Sequence, residues 1–439
     1  MLINKDREPD FRRHLSPIRH IPIELLSTIF LYCLPSQNWP ALIRKVHEAP
    51  LLLLRICRQW RHVALSTARL WSRIALATSK SDLLLARTWI DRAGASCPLS
   101  IYLGPSERNA DHEVIAAITP HCAQWEDITF DLPLSFTKGL DVVKHHLPCL
   151  KALIFNQAAH GFQFTDAFES APQLRSLELC SGVSVSMLKI PWSQLTRCKM
   201  GARSLDECFQ ILKLCPRLID VEFFSSRGFG PDVSRSTLQL PNLQSIHFLF
   251  PISLLGDFFD CITLPALIDF THFDGFWSQR EFISLLKRSN CRLQKLHIRT
   301  GLLSITDGDL MDILQLTPSL TVLNLSGVSP VMGIATLDRL TYRGSSSGGY
   351  VLPNLQTFRL CHYSHFINHA FVDMLESRWG SSGSFEEANS PRNEPVRLER
   401  CFLDLLDGVI NVDTSVRTRL RGLRAEGLRV WPVGSSYGF

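Results

Sequence analysis

Pro318-Ser319-Leu320-Thr321-Val322-Leu323-Asn324-Leu325 decides how the chain folds. Apolar residues stand at 320, 323 and 325, with a proline two residues ahead of the first. Leu323-Asn324-Leu325 alternates as a half-buried strand does, so the two leucines face a core and Asn324 faces away from it. A strand this short needs neighbours to be stable.

The same pattern recurs on both sides. Upstream stand Trp125-x-x-Ile128-x-Phe130, Leu150-x-x-Leu153-x-Phe155, Leu174-x-x-Leu177-x-Leu179, Leu218-x-x-Val221-x-Phe223, Leu243-x-x-Ile246-x-Phe248 and Leu293-x-x-Leu296-x-Ile298. Downstream stands Leu355-x-x-Phe358-x-Leu360, and weaker units begin at Leu195 and Leu267. Pro148, Pro172, Pro216, Pro241, Pro265 and Pro353 precede their anchors as Pro318 does. Up to Leu320 the steps run from 21 residues (Leu174 to Leu195) to 27 (Leu293 to Leu320). That is the period of a leucine-rich repeat, in which each unit supplies one strand and one helical or irregular return, and stacking buries a shared core.

The returns carry helix signals. Ser204-Leu205-Asp206-Glu207 and Ser278-Gln279-Arg280-Glu281 match capping boxes, followed by Phe209, Leu212 and Cys215, and by Phe282, Leu285 and Leu286. Asp309 to Leu316, Asn368 to Leu375 and Ser415 to Arg424 read as further helices. The Ser/Gly run at 344–349 and the polar stretch at 379–395 read as loops. Val396 to Leu405, with Leu428-Arg429-Val430-Trp431, reads as a final repeat capping the array.

The N-terminal region lacks the repeat. Ile21-Pro22-Ile23-Glu24-Leu25-Leu26 opens an amphipathic helix with Leu25, Leu26, Ile29, Phe30 and Cys33 at helical spacing, and Pro22 suits its first turn. Leu53, Ile56, Cys57, Trp60, Val63 and Ala64 form a second apolar series, with Arg55, Arg58, Arg61 and His62 opposite. Leu70 to Leu76 and Pro98 to Leu103 read as strands. Ser81 to Ala93, with Leu84, Leu85, Thr88 and Trp89 as its buried edge, and Asp111 to Thr119 read as helices.

The Ile-Pro-x-Glu-Leu opening, the Ile29-Phe30 pair and the closing Cys57-Arg58-x-Trp60-Arg61, followed by Leu70-Trp71, resemble the F-box, in the form found in the large fungal F-box group. The resemblance is strongest over residues 16–75. Ser36 to Pro50, between the two halves, is longer than in a compact F-box. The resemblance implies a substrate-receptor subunit of a cullin-type ubiquitin ligase. Its F-box would bind an SKP-type adaptor through Ile21, Pro22, Leu25, Leu26, Ile29, Phe30, Cys57, Arg58, Trp60 and Arg61, and through that adaptor a cullin scaffold. The repeats would hold a target protein on the residues between core positions: Thr129, Ile154, Glu178, Glu222, His247, His297, Asn324 and Arg359. The competing reading is a non-catalytic leucine-rich-repeat scaffold outside ubiquitylation.

The expected fold is therefore α/β. A mobile tail at 1–15 leads into an all-α F-box-like module at 16–66, linking strand-helix units at 67–120 and a leucine-rich-repeat-like solenoid at 121–439. At 439 residues the chain exceeds what one globular core usually serves. A formal charge of +5 from 46 Lys+Arg and 41 Asp+Glu gives no reason to expect a nucleic-acid partner. No apolar run approaches a bilayer's thickness, and residues 1–15 lack the apolar segment of a secretory signal. The 13 cysteines occur singly with no C-x-x-C, which points to reduced core residues in a cytoplasmic or nuclear protein rather than to disulfides or zinc. Gly344-Ser345-Ser346-Ser347-Gly348 matches a nucleophile elbow but lacks the following helix. His365 and His369 share a metalloprotease spacing but lack its glutamate. Phe229, Phe276 and Trp277 could stack on bases, yet suit a core or rim as well. No catalytic residue, metal or cofactor is expected.

Overall fold

The computed structural model describes residues 21–35, 46–76, 80–104, 111–131, 134–156, 164–180, 183–202, 204–224, 237–249, 255–275, 277–300, 305–327, 332–343, 350–361, 368–380, 396–403 and 413–432. The tail expected at 1–15, the loop at 344–349 with Ser346, residues 36–45, 381–395 and 404–412, and Phe229, Phe276 and His365 lie outside them. Two compact units are formed, Met1–Leu174 with Leu188–Ile190, and Arg175–Met187 with Pro191–Phe439. Their boundary falls within the repeat pattern.

The first unit contains α1 (Ile23–Tyr32), α2 (Arg58–Ser66), β1 (Arg73–Leu76), α3 (Lys80–Ala93), β2 (Leu99–Leu103), α4 (Asp111–Ile118), β3 (Trp125–Phe130) and β4 (Ala152–Phe155). Its strands pair in chain order, all parallel. Leu70 and Trp71, expected at the start of β1, lie instead in the short 3-10 turn Ala68–Trp71. Trp71 is fully buried there, donates to the Ala64 carbonyl at 2.8 Å and meets Trp89 edge-on at 5.3 Å. On α3 the buried edge is Ala86, Trp89, Ile90 and Ala93, whereas Leu84, expected inside, is exposed. One residue is 100° of helix, enough to turn Leu84 outward once Trp89 fixes the face.

The second unit contains β5 (Ser176–Leu179), β6 (Arg197–Gly201), α5 (Leu205–Leu214), β7 (Asp220–Phe224), β8 (Leu238–Gln239), β9 (Ser245–Phe248), α6 (Leu255–Cys261), β10 (Ile262–Thr263), β11 (Asp269–Gly275), α7 (Gln279–Ser289), β12 (Lys295–Thr300), α8 (Asp307–Leu316), β13 (Val322–Gly327), α9 (Ile334–Leu340), β14 (Thr357–Cys361), α10 (His369–Trp379), β15 (Arg400–Leu403), α11 (Thr414–Ala425) and β16 (Arg429–Pro432). Setting aside the small β8–β10 pair, the strands again add in chain order and in parallel. The consecutive helices α6 to α11 each pack on the next. The architecture is α/β on parallel sheet, as the repeat spacing requires.

Local chemistry explains the repetition. Cys215-Pro216-Arg217-Leu218 closes a turn in which the Leu218 N–H donates to the Cys215 carbonyl at 3.1 Å; Leu243, Leu267, Leu320 and Leu355 close matching turns on Leu240, Leu264, Thr317 and Leu352. In each the proline occupies the second position, where its fixed φ is already correct. One carbonyl ahead of each strand then accepts two N–H groups from the following repeat: Thr196 from Ile219 and Asp220, Gln244 from Ile268 and Asp269, Gln294 from Thr321 and Val322, Gln356 from Glu399 and Arg400. Behind this edge, Leu177, Cys198, Val221, Ile246, Phe270, Leu296, Leu323, Phe358 and Cys401 form one buried row in register. The parallel inner row includes fully buried His272, a polar residue at the core position of the weak Leu267 unit.

Two capping expectations resolve differently. Ser204 caps α5, its Oγ accepting from the Glu207 N–H at 3.2 Å, but Ser278 makes no side-chain cap on α7. A full capping box stands instead at Thr306 and Asp309, so α8 begins two residues before the expected Asp309. Helix α10 runs to Trp379, placing the start of the polar stretch expected at 379–395 inside a helix and Trp379 against the core. Trp277 packs on Phe282 at 4.8 Å with its N–H donated to Gln279, which makes it part of the core margin and not a stacking platform. Most described cysteines are buried, and burial pushes the Cys215 and Cys401 thiols up to about 12; Cys33 and Cys57 are exposed. No helix among the described residues is long and apolar enough to cross a membrane.

Candidate functional site

Helix α1 is apolar around most of its circumference, so its packing divides residues that the sequence puts on one face. Leu26 and Phe30 are buried, 0% and 1% exposed, and Phe30 meets the Trp60 ring of α2 at 4.8 Å. Pro22, Leu25, Ile29 and Tyr32 lie three and four residues apart and therefore form a second stripe. That stripe is open: Leu25 is 58%, Ile29 43% and Tyr32 87% exposed. Ser27 and Thr28 return their hydroxyls to the Glu24 carbonyl at 2.8 and 2.9 Å, which leaves the outer surface of the helix largely hydrocarbon.

The second half of the motif divides in the same way. The helix starts at Arg58, with Cys57 as its N-cap, the sulfur accepting from the Trp60 N–H at 3.5 Å. Cys57, expected on the apolar side with Ile56, is exposed, as are Ile56, Arg58 and Arg61. Arg61 donates to the Leu54 carbonyl at 2.9 Å and thereby ties α2 to the turn before it. Of the ten residues assigned to the adaptor, Leu26 and Phe30 are taken up by the chain's own core. Ile21 and Trp60 are half-buried, and Pro22, Leu25, Ile29, Cys57, Arg58 and Arg61 are exposed.

The second candidate surface lies on the strands. In the first unit, Thr129 and Ile154 pair in register with each other and, through Thr129, with Tyr102; all three are half-buried. Tyr102 donates to Asp131 at 2.5 Å and Ser100 to Asp127 at 3.0 Å. Burial raises the Asp127 carboxyl above its ordinary range, against the Ser100 hydrogen bond.

In the second unit the expected residues fall into one unbroken register row: Glu178, Lys199, Glu222, His247, Thr271, His297, Asn324, Arg359, Phe402 and Trp431. Lys199, Thr271, Phe402 and Trp431 were missed by the sequence reading, because they sit on the two weak units and the capping repeats. Counting one residue past the second core position, Cys198, Phe270 or Cys401, would have found the first three. Lys199 bridges Glu178 at 3.3 Å and Glu222 at 3.2 Å. Burial works against its charge, but the two carboxylates outweigh it and raise the ammonium pKa. Asn324 Nδ2 lies 3.2 Å from His297 Nδ1, and the Arg359 guanidinium stands over the Phe402 ring at 4.9 Å. Burial holds His297 below its ordinary value, with Asp269 opposing.

Charge changes sign along the strands. The outward positions of β5 to β9 carry Glu178, Asp220 and Glu222 against Arg197 and Lys199. Those of β12 to β16 carry Lys295, Arg299, Arg359, Arg400 and Arg429, with no carboxylate among the described outward residues of these strands. Between them, Asp269 on β11 pairs with Lys295 at 3.3 Å. A polar pocket at the start of α5, lined by Ser184, Ser204, Asp206, Glu207 and Gln210, gathers no nucleophile with its base. His369 is engaged by Asp413 and Ser415, each at 3.3 Å, so it links the starts of α10 and α11. No protein-family model matches the chain, and no curated protein matches it in sequence.

Proposed function

We propose that the chain is a substrate-receptor subunit of a cullin-type ubiquitin ligase, with an F-box at its N-terminus and a leucine-rich-repeat array behind it. The observation that carries this reading is the open apolar stripe Pro22, Leu25, Ile29 and Tyr32 on a helix whose other face is already buried. Leaving that much hydrocarbon in water is unfavourable unless a partner covers it, and contiguous exposed apolar surface marks interaction sites. The stripe coincides with the motif positions that resemble an F-box, which makes an SKP-type adaptor the partner and a cullin scaffold the next component. Leu26, Phe30 and Trp60 then act indirectly, by holding α1 against α2 so that the stripe is presented. The strand rows are the platform for a target protein. Function on this reading is proximity: the chain raises the effective concentration of a target lysine at the transferring enzyme and makes or breaks no bond itself.

The test is co-purification of adaptor and cullin with the full chain. Pro22→Ala with Leu25→Ala is expected to abolish capture of both. An adaptor retained by that variant, or absent from the wild-type complex, sinks the assignment in favour of a scaffold outside ubiquitylation.

A further inference from the structure

Strands β12 to β16 and β5 to β9 belong to one compact unit and one register, yet their outward positions differ in charge. We infer that the cationic outward surface of β12 to β16 docks an acidic segment of the target protein. The inference rests on the reading of the strand rows as the target platform and gives that platform a ligand class.

Three observations carry it. First, Lys295, Arg299, Arg400 and Arg429 are exposed and Arg359 is half-buried. Arg400 and Arg429 are register partners on adjacent strands, which lie about 4.8 Å apart, and Arg359 stands in the next row, opposite Phe402, so the three cations form a cluster that carboxylates of one peptide can meet. Secondly, groups suited to a peptide stand among these cations: half-buried His297, Ser326 and Thr357 can hydrogen-bond main-chain or side-chain amides, buried Asn324 holds His297 in place, and Val322 and Phe402 offer apolar contact. Arg359 is held over Phe402, which keeps its planar fork in a fixed plane for a carboxylate. Thirdly, the row of Arg359 carries two carboxylates at its other end, Glu222 and Glu178, against the one ammonium of Lys199 that bridges them. A uniform polyanion crossing the face would be repelled there, whereas a peptide of mixed sequence can end its acidic run at β12 and present a basic or neutral residue beyond.

The experiment is fluorescence anisotropy on the full chain, with a fluorescein-labelled peptide alternating glutamate with leucine, a matching lysine peptide, and an oligothymidylate of the same charge as the acidic peptide. The acidic peptide is expected to bind and to weaken with added salt, and the lysine peptide is not expected to compete for its site. Arg400→Glu with Arg429→Glu, both at exposed positions, is expected to weaken the acidic peptide about tenfold or more through lost complementarity. Glu178→Lys with Glu222→Lys should leave it bound at least as well. Arg359→Gln supplies a half-buried counterpart, and its fold is checked by circular dichroism. Equal binding by the wild type and the Arg400/Arg429 variant, or tighter binding of the oligothymidylate, overturns the inference. Adaptor capture by the Arg400/Arg429 variant is scored separately. If that variant keeps the adaptor and loses the peptide, both readings gain. If the wild type binds the peptide but captures no adaptor, the inference stands and the ligase reading falls.

Discussion

Helix α1 and strand β12 dispose of their hydrocarbon differently. On β12, Leu296 and Ile298 point inward and Lys295, His297 and Arg299 point out, so each apolar residue whose side chain is described is buried. On α1 only Leu26 and Phe30 are buried, and Ile23, Leu25, Ile29 and Tyr32 remain in solvent. A strand has two faces, and its period of two sorts them completely. A helix apolar at neighbouring angles cannot bury all of them against one surface, so the residue left over is available to another molecule. The repeats therefore owe their stability to their own neighbours, while α1 has a face that the described residues leave open.

The comparison breaks most visibly at Phe30. Phe30→Ala is expected to destabilise the first unit by roughly 3–5 kcal/mol, the cost of emptying a buried aromatic site. Leu25→Asp with Ile29→Asp, on the same helix, should leave the urea midpoint of that unit unchanged or raised. If both variants lose stability alike, α1 has no outer face and the contrast with β12 is void.

A smaller effect is expected inside the second unit. Arg378, at 0% exposure, donates to the carbonyls of Leu340, Leu352 and Val351 at 2.6 to 2.8 Å, and burial lowers its pKa to about 10. Arg378→Met fills much of the volume but leaves those carbonyls unmet, for a loss of about 3 kcal/mol. Thermal unfolding followed by circular dichroism checks it. An unchanged midpoint would mean that water replaces the guanidinium and that the packing of successive returns does not depend on it.

The smallest effect concerns the strand row. Because burial depresses the His297 pKa, the unfolded chain binds this proton more readily than the folded one. Stability at this site is therefore complete above its ordinary value of 6.5 and declines as pH falls below it. His297→Gln should flatten the drop in melting temperature between neutral and mildly acidic pH. An identical drop in both proteins would place the titrating group elsewhere.

The strands were legible in the sequence because two constraints coincide in a few residues. Pro318 pre-sets the turn, and Leu320, Leu323 and Leu325 then have a single arrangement that buries all three. The row Glu178, Glu222, His247, His297, Asn324 and Arg359 followed by subtraction, since whatever alternates with the core stands on the other side of the strand; Asn324 is nevertheless buried there, against His297. The split on α1 was not legible, because Leu25 and Leu26 are the same residue type and only the packing of α1 on α2 and on the turn Ala68–Trp71 decides which of them is covered. Arg378 was hidden for a different reason. An arginine in an amphipathic pattern reads as surface, and nothing local announces that three carbonyls from distant returns converge on it. Ser278 and Thr306 show the limit of cap signatures: Ser278 fits the motif and makes no cap, while Thr306 caps α8 with an aspartate where a glutamate is the usual partner.

The register row has a consequence for how such a surface can change over generations. Each repeat contributes one side chain to each row, and the residues on either side of it along the strand are committed to the interior. A substitution at 199, 297 or 359 therefore rewrites one rung of the face and leaves the leucines that hold the rung in place untouched. Surface chemistry and foldability are inherited on alternate letters of the same strand, so the character of the outward face can drift quickly while the scaffold beneath it stays still.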